Sequence, residues 1–230
     1  MTQVSRRHLL AGAAGAAAVY GAATAHAATT SDLNICAAPK FDESFDLVVI
    51  GSGGAGLSSA VMAKQQGVKR ILVLEKMAFL GGNTAISGGG FNSYDPPRQQ
   101  AQGIKDSPEL HFENTYDGGD RRANPELVHA MTENSYAAIQ WLESIGMKFK
   151  PNVYQIYGGL YPRCHAPYGS LGSDYIKVLK AQCDKLGIEI RTNSRVVRVL
   201  RESPLEGKVT GVEYVDKSGK KHVIEATLRS

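Results

Sequence analysis

The residues most suited to chemistry form one glycine loop, Gly51-Ser52-Gly53-Gly54-Ala55-Gly56. In a G-x-G-x-x-G pattern Gly51 allows a tight turn, Gly53 lets the backbone approach a diphosphate, and Gly56 lets a helix pack closely on a strand. The N–H groups of that helix would then face the phosphate oxygens with a partial positive charge. Glu75 lies 19 residues after Gly56 and is placed to accept both ribose hydroxyls of an adenosine. The pattern therefore predicts a dinucleotide site.

The elements predicted around this loop are the ones needed to position it. Residues 45–50 predict a buried strand, 55–66 a helix that ends at Gly67, and 70–75 a second buried strand. A strand, a helix and a strand in this order form a βαβ unit, which requires a parallel sheet. The carboxylate of Glu75 disfavours a 2′-phosphate, but the motif alone does not separate NAD from FAD.

The rest of the chain predicts one long loop, three helices and four strands. The glycine-rich stretch 76–105 is expected to be a loop whose backbone lies close against another group. Ser107-Pro108 and Asn124-Pro125 each predict the start of a helix, and the second helix should bury an apolar stripe. That stripe consists of Leu127, Met131, Ile139 and Leu142. A further helix is predicted at 171–186, and strands at 188–192, 195–200, 208–215 and 221–226.

Three segments carry a resemblance to a known family: 48–57, 74–76 and 81–90. They resemble the flavoprotein subunits of the fumarate reductase and succinate dehydrogenase family, most of all its soluble periplasmic members. Fainter likeness extends over essentially all of 45–226, including Arg163-Cys164-His165. The resemblance implies an α/β fold: a Rossmann-like FAD-binding domain with a parallel sheet, helices and a small β-meander.

The resemblance also implies which residues hold FAD. Gly51, Gly53, Gly54, Ala55, Gly56 and Glu75 would bind its ADP half, and Val196 would touch the adenine through its backbone. The rest of the diphosphate and the flavin ring would lie along Asn83, Thr84, Ser87, Gly88 and Gly89. Asn83 stands where membrane-bound members carry a histidine bonded to the flavin. An amide cannot form that bond, so we expect non-covalent FAD.

The activity implied by the resemblance is hydride transfer from FAD to the C=C bond of fumarate or a related unsaturated carboxylate. Two alternatives remain open: a ketosteroid dehydrogenase or aspartate oxidase type of enzyme, or a truncated flavin-binding remnant without turnover. The family's A-T-G-G element and capping domain would follow Glu225, and the sequence ends at Ser230. We therefore expect 45–230 to be a partial domain with no assignable catalytic residue. Arg163 and His165 could bind an acid, but a buried or surface pair of this kind more often positions a loop, and we favour that role.

The first 27 residues predict an export signal. Arg6 and Arg7 precede an Ala- and Gly-rich apolar stretch that ends in Ala25-His26-Ala27, a pattern typical of the twin-arginine route to the periplasm. A membrane anchor is the alternative, but the stretch is short and weakly apolar. Residues 28–44 predict a flexible linker, and no other segment is suited to crossing a membrane.

Charge and cysteine content exclude other classes of function. Without Arg6 and Arg7, 24 basic residues stand against 22 acidic ones, a net charge of about +2 that is too weak for nucleic-acid binding. Three cysteines, Cys36, Cys164 and Cys183, form no C-x-x-C or C-x-x-C-H, so we expect no metal or haem and inert, buried thiols. Electrons would then come from a separate cytochrome or another donor.

Overall fold

A computed structural model describes residues 40–169, 171–203 and 206–227. The predicted signal peptide, most of the predicted linker and Cys36 lie outside these residues. In chain order, the elements are β1 (Glu43–Phe45), β2 (Leu47–Ile50), α1 (Gly54–Gln65), β3 (Ile71–Leu74), α2 (Gly82–Ile86), β4 (Phe91–Asn92), α3 (Pro96–Gln100), α4 (Pro108–Gly118), α5 (Pro125–Ser144), β5 (Cys164–His165), α6 (Ser173–Lys185), β6 (Glu189–Arg191), β7 (Arg195–Arg201), β8 (Val209–Val215) and β9 (Lys221–Ala226).

A three-stranded parallel sheet of order β2-β3-β6 forms the centre of the domain. Strand β3 is buried along its whole length, and its side chains alternate between two cores. Ile71 and Val73 pack with α1, α5 and α6 on one face. Leu72 and Leu74 pack against residues of β8 and β9 on the other face. Apolar residues at every position of β3 are what a strand covered on both faces needs.

The second face is covered by a four-stranded sheet of order β1-β9-β8-β7. Strands β7, β8 and β9 run antiparallel as a meander, whereas β1 pairs with β9 in parallel. Arg191 at the end of β6 joins the two sheets, since its guanidinium donates to Glu43 of β1 at 2.7 and 2.8 Å and to the hydroxyl of Tyr214 at 3.0 Å. The predicted α/β class, βαβ unit and meander are confirmed.

The first predicted strand is in fact two strands. The chain leaves one sheet after Phe45 and enters the other at Leu47, so 45–50 is not one continuous element. Asp46 fixes this change of sheet, because its carboxylate accepts the N–H groups of Lys69 and Arg70 at 3.1 and 2.8 Å. Strand β1 already begins at Glu43, inside the stretch predicted as linker. Strand β2 is only partly buried, and Ile50 is 53% exposed.

The prediction of one long loop over 76–105 is wrong in part. Two short helices, α2 and α3, and the two-residue strand β4 lie within it. Helix α3 begins after Asp95, whose side chain accepts the N–H of Arg98 at 3.1 Å, and it has prolines at its first two positions. This is the same start signal that correctly predicted α4 and α5.

The predicted buried stripe of α5 is also wrong in part. Ile139 and Leu142 are buried as expected, but Leu127 is 70% and Met131 44% exposed. The buried face is instead Val128, Thr132, Ser135, Ile139 and Leu142. The small polar residues allow close approach: the hydroxyl of Ser93 donates to that of Ser135 at 3.1 Å. No helix among the described residues is long and apolar enough to span a bilayer.

This assignment of the α5 faces predicts opposite results for two truncations. Ile139→Ala removes a fully buried side chain from the core that also contains residues of α1 and α6, and it should lower the free energy of unfolding by about 2–5 kcal/mol. Leu127→Ala, on the exposed side of the same helix, should change it by less than about 0.5 kcal/mol. Chemical denaturation of both variants measures the difference, and equal losses would contradict the assigned faces.

Candidate cofactor-binding site

The glycines of the first loop serve different purposes. Gly51 has φ +96°, a conformation that favours glycine, and a Cβ on Gly56 would collide with the carbonyl oxygen of Gly51. Both are therefore required by the fold itself. Gly53 has φ −67°, and the nearest atom to a Cβ there would be the Gly81 oxygen at 3.8 Å. The protein leaves this space at the N-terminus of α1 open, as a diphosphate would require.

Glu75 ties the first loop to its surroundings. Its Oε2 accepts the N–H of Ser52 at 2.9 Å and the Ser52 hydroxyl at 2.7 Å, and its Oε1 accepts the N–H of Met77 at 2.8 Å. The same Ser52 oxygen accepts the N–H of Gly81 at 3.2 Å. One carboxylate and one hydroxyl thus fix the position of the second glycine segment, 81–90, relative to the first loop, 51–56.

The charge of Glu75 is maintained by these bonds. Burial alone would raise its pKa, but the donors on Met77 and Ser52 outweigh burial, and the pKa lies below its ordinary value. A carboxylate offers about four lone-pair positions, and three accept bonds within the protein. Room remains for one more donor. Contact with both ribose hydroxyls, as predicted, would require one of these bonds to be shared.

Helix α2 brings the second group of predicted residues onto the first. Gly53 and Gly81 form an isolated parallel bridge. The hydroxyl of Thr84 accepts the N–H of Gly54, the first residue of α1, at 3.0 Å. In this structure Thr84 therefore occupies one of the donors that the sequence assigned to the diphosphate, and Gly54 and Thr84 are direct neighbours.

Six of the twelve predicted residues line one cleft of about 890 Å³. They are Gly54, Ala55, Asn83, Thr84, Ser87 and Gly89. The cleft is also lined by mostly apolar residues of α5, including Trp141 and Leu142, and by Tyr175 and Leu179 of α6. The volume is within the range of cofactor pockets.

The other six predicted residues do not line this cleft: Gly51, Gly53, Gly56, Glu75, Gly88 and Val196. Strand β7, which contains Val196, nevertheless begins beside Glu75, because the N–H of Ser194, just before β7, donates to the Glu75 carbonyl at 2.8 Å. Val196 packs at the edge of the second core. Its contact with adenine stays a prediction.

Arg163 and His165 are buried and fully engaged with the protein. Arg163 is 4% exposed, and its guanidinium donates to both carboxylate oxygens of Asp106, at 3.0 and 2.5 Å, and to the side-chain oxygen of Asn114 at 3.1 Å. His165 lies between the carbonyl of Phe91 and the carboxylate of Asp95, at 3.1 and 3.0 Å. They are not a surface pair. They hold the segment 91–106 in place, as the positioning interpretation expected.

Two residues that sequence reasoning missed contribute to the site. Ser52 occupies a variable position of the glycine pattern, yet it is fully buried. Tyr175 donates from its hydroxyl to the carbonyl of Gly89 at 2.8 Å. Neither contact follows from spacing, since Ser52 and Glu75 are 23 residues apart and Tyr175 and Gly89 are 86 apart. Of the two, only Ser52 could have been noticed in the sequence, because it is the one polar side chain in the loop 51–56.

The described residues contain no group of three or more His, Cys, Asp or Glu placed to hold a metal. Cys164 and Cys183 are free and buried, as predicted for inert thiols. Burial raises the pKa of Cys183 to about 11, so its thiolate is scarce at neutral pH.

A parallel sheet with a glycine loop, an open helix N-terminus and a fixed acidic residue after the second strand defines a dinucleotide-binding domain. The profile described as FAD binding domain matches residues 46–229. The chain therefore belongs to this family of FAD-binding domains, and FAD as the predicted cofactor is confirmed.

Relatives named as reductases match the chain. The fumarate reductase (cytochrome) of Shewanella frigidimarina is 36% identical over 172 residues, which is 74% of this chain and 29% of that protein. The acrylate reductase flavoprotein subunit of Shewanella woodyi is 31% identical over 224 residues, which is 94% of this chain and 43% of that protein.

A solved structure shows the same fold. The open conformation of a flavocytochrome c3 fumarate reductase superposes with a TM-score of 0.75 and 31% identity, over 81% of this chain and 33% of that one. The predicted family resemblance is confirmed. The chain spans less than half the length of each of these three proteins.

The different roles of the glycines predict that binding and folding can be separated. Gly53→Ala should change the free energy of unfolding by less than about 1 kcal/mol, since its φ and its surroundings accept a methyl group. It should weaken FAD binding by at least about tenfold, or about 1.4 kcal/mol. Gly56→Ala should instead destabilise the fold by about 1–3 kcal/mol. Denaturation and FAD titration test both; tight binding by Gly53→Ala would contradict the site.

The buried Arg163–Asp106 pair predicts a loss of stability. Arg163→Leu leaves the Asp106 carboxylate, whose side chain is 0% exposed, without its cation, and should cost about 3–5 kcal/mol. Arg121→Ala is the matched control, because its pair with Asp117 is exposed and should be worth less than about 1 kcal/mol. A stable Arg163→Leu variant would contradict the positioning role.

Proposed function

We propose that this chain is the FAD-binding part of an exported oxidoreductase that reduces the C=C bond of fumarate or a related unsaturated carboxylate. One observation carries the proposal: two glycine segments held together by Ser52 and Thr84 present backbone along a single cleft. A long cofactor with a diphosphate and a flat ring suits such a surface. The activities for which two relatives are named, fumarate reductase and acrylate reductase, support this substrate class.

FAD, when bound, supplies the hydride chemistry, and the protein supplies orientation. The open space at Gly53 and the N-terminus of α1 would receive the diphosphate. Glu75 would accept from the ribose, and residues from Asn83 to Gly89 would lie along the flavin. The side-chain amide of Asn83 lacks the nucleophilic ring nitrogen of a histidine and cannot form a covalent bond to the flavin. The cofactor is therefore held non-covalently.

The location and electron supply of the protein are further parts of the proposal. The Ser5-Arg6-Arg7 context supports export by the twin-arginine route, which carries proteins that have already folded around a cofactor. A cytochrome or another donor would supply the electrons. The modest net charge supports a small acid rather than a nucleic acid as partner.

The full chain, produced in a host with a twin-arginine system, tests this function. We expect a yellow protein in the periplasmic fraction whose flavin stays in the supernatant after acid precipitation. Reoxidation of its reduced flavin is then followed with fumarate and acrylate. Gly53→Ala serves as the matched variant with weakened FAD binding.

Each outcome bears on a separate part of the proposal. Colourless protein that does not take up added FAD would overturn the cofactor site, and flavin in the acid pellet would overturn non-covalent binding. Retention of the full-length chain in the cytoplasm would overturn export. Bound flavin that neither acid reoxidises would favour the binding module without turnover.

A further inference from the structure

The glycine segment 88–90 is seated directly on the turn that precedes α6. Gly89 has φ +73°, and a Cβ there would lie 2.7 Å from the carbonyl carbon of Leu171 and 2.8 Å from the nitrogen of Gly172. A Cβ on Gly90 would lie 2.7 Å from the sulfur of Cys164. Glycine is required at 89 because the nearest atoms are backbone, and at 90 because a side chain would collide with the Cys164 sulfur.

The same turn supports helix α2. The N–H of Gly172 donates to the carbonyl of Ser87 at 2.8 Å. A Cβ on Gly172 would collide with the carbonyl oxygen of Thr84. The start of α6 therefore touches both parts of the second glycine segment, and any shift of α6 would be transmitted to the wall of the cleft.

Tyr175 is a third residue of α6 and its preceding turn that contacts the segment 88–90. It follows Gly172 by three residues, is 8% exposed, and lines the cleft beneath Gly89. Its hydroxyl donates to the Gly89 carbonyl at 2.8 Å, and its ring packs at 6.0 Å from that of Phe149 in the core. Burial raises the pKa of Tyr175 far above its usual range, so the hydroxyl remains protonated and remains a donor.

We propose that Tyr175 is a positioning residue for the flavin: by binding the Gly89 carbonyl it sets the orientation of the Gly89–Gly90 peptide against which the ring lies. This inference rests on the proposed role of Gly88 and Gly89. A trans peptide is planar, so its N–H points opposite to its carbonyl. Holding the Gly89 oxygen towards α6 therefore turns the Gly90 N–H to the other side of the segment. Hydrogen bonds to a flavin tune its electronic properties.

Tyr175→Phe in the full chain tests the proposal, because it removes one oxygen and keeps the ring in the core. We expect FAD affinity to fall by about threefold to tenfold, the loss of one hydrogen bond. At saturating FAD the absorption bands of the bound flavin should shift. Tyr157→Phe is the matched control, since Tyr157 is fully exposed and should change neither quantity.

A second variant disturbs the same glycine segment from its other end. Gly172→Ala would place a methyl group against the Thr84 carbonyl and the Ser87 hydroxyl, and it should shift the same absorption bands. Wild-type affinity and an unchanged spectrum in Tyr175→Phe, with FAD bound normally by the unmodified chain, would overturn this inference and leave the proposed function standing. A melting temperature that falls while the spectrum at saturation stays the same would give Tyr175 a general structural role and also overturn it. Failure of the unmodified chain to bind FAD would overturn both the role of Tyr175 and the proposed function.

Discussion

The structure of the site depends on one carboxylate. Glu75 accepts three hydrogen bonds through its side chain, from Ser52 and Met77, while its backbone bonds Arg191 and Ser194 at 2.8 Å each. It therefore joins the end of the central strand to the first glycine loop and to the start of the meander. These bonds also keep it ionised, because donors outweigh the effect of burial on its pKa. A neutral group of the same shape could not accept as many donors.

The far end of the second glycine segment is held by a different kind of contact. Buried polar contacts attach 91–106 to the short strand β5: Asp95 is hydrogen-bonded to His165, and Asp106 forms an ion pair with Arg163. A buried ion pair is directional, and its desolvation is offset only when the geometry is good. The result is a segment fixed at both ends, by Ser52 and Thr84 at one and by these two contacts at the other. The backbone between them is thereby preorganised.

The sequence predicted those parts of the fold that local patterns determine. The βαβ unit follows from apolar runs on either side of a glycine loop, and α4 and α5 follow from their capping residues. Helix α3 carried the same capping signal at Asp95 and was overlooked within a glycine-rich stretch. The buried face of α5 could not be predicted from hydrophobicity, because it includes Ser135, a polar residue that is hydrogen-bonded to the buried Ser93. Ser52 and Tyr175 bind residues distant in sequence, which a single sequence does not reveal.

The uncrowded position of Gly53 has an evolutionary consequence. Gly56 is constrained by the architecture, whereas Gly53 is constrained only by what occupies the space above it. A lineage under no pressure to keep its nucleotide could replace the residue at 53 freely while the residue at 56 stayed invariant. A substitution at 53 with glycine kept at 56, only three residues away, would then mark a descendant that retained the fold but lost its redox cofactor.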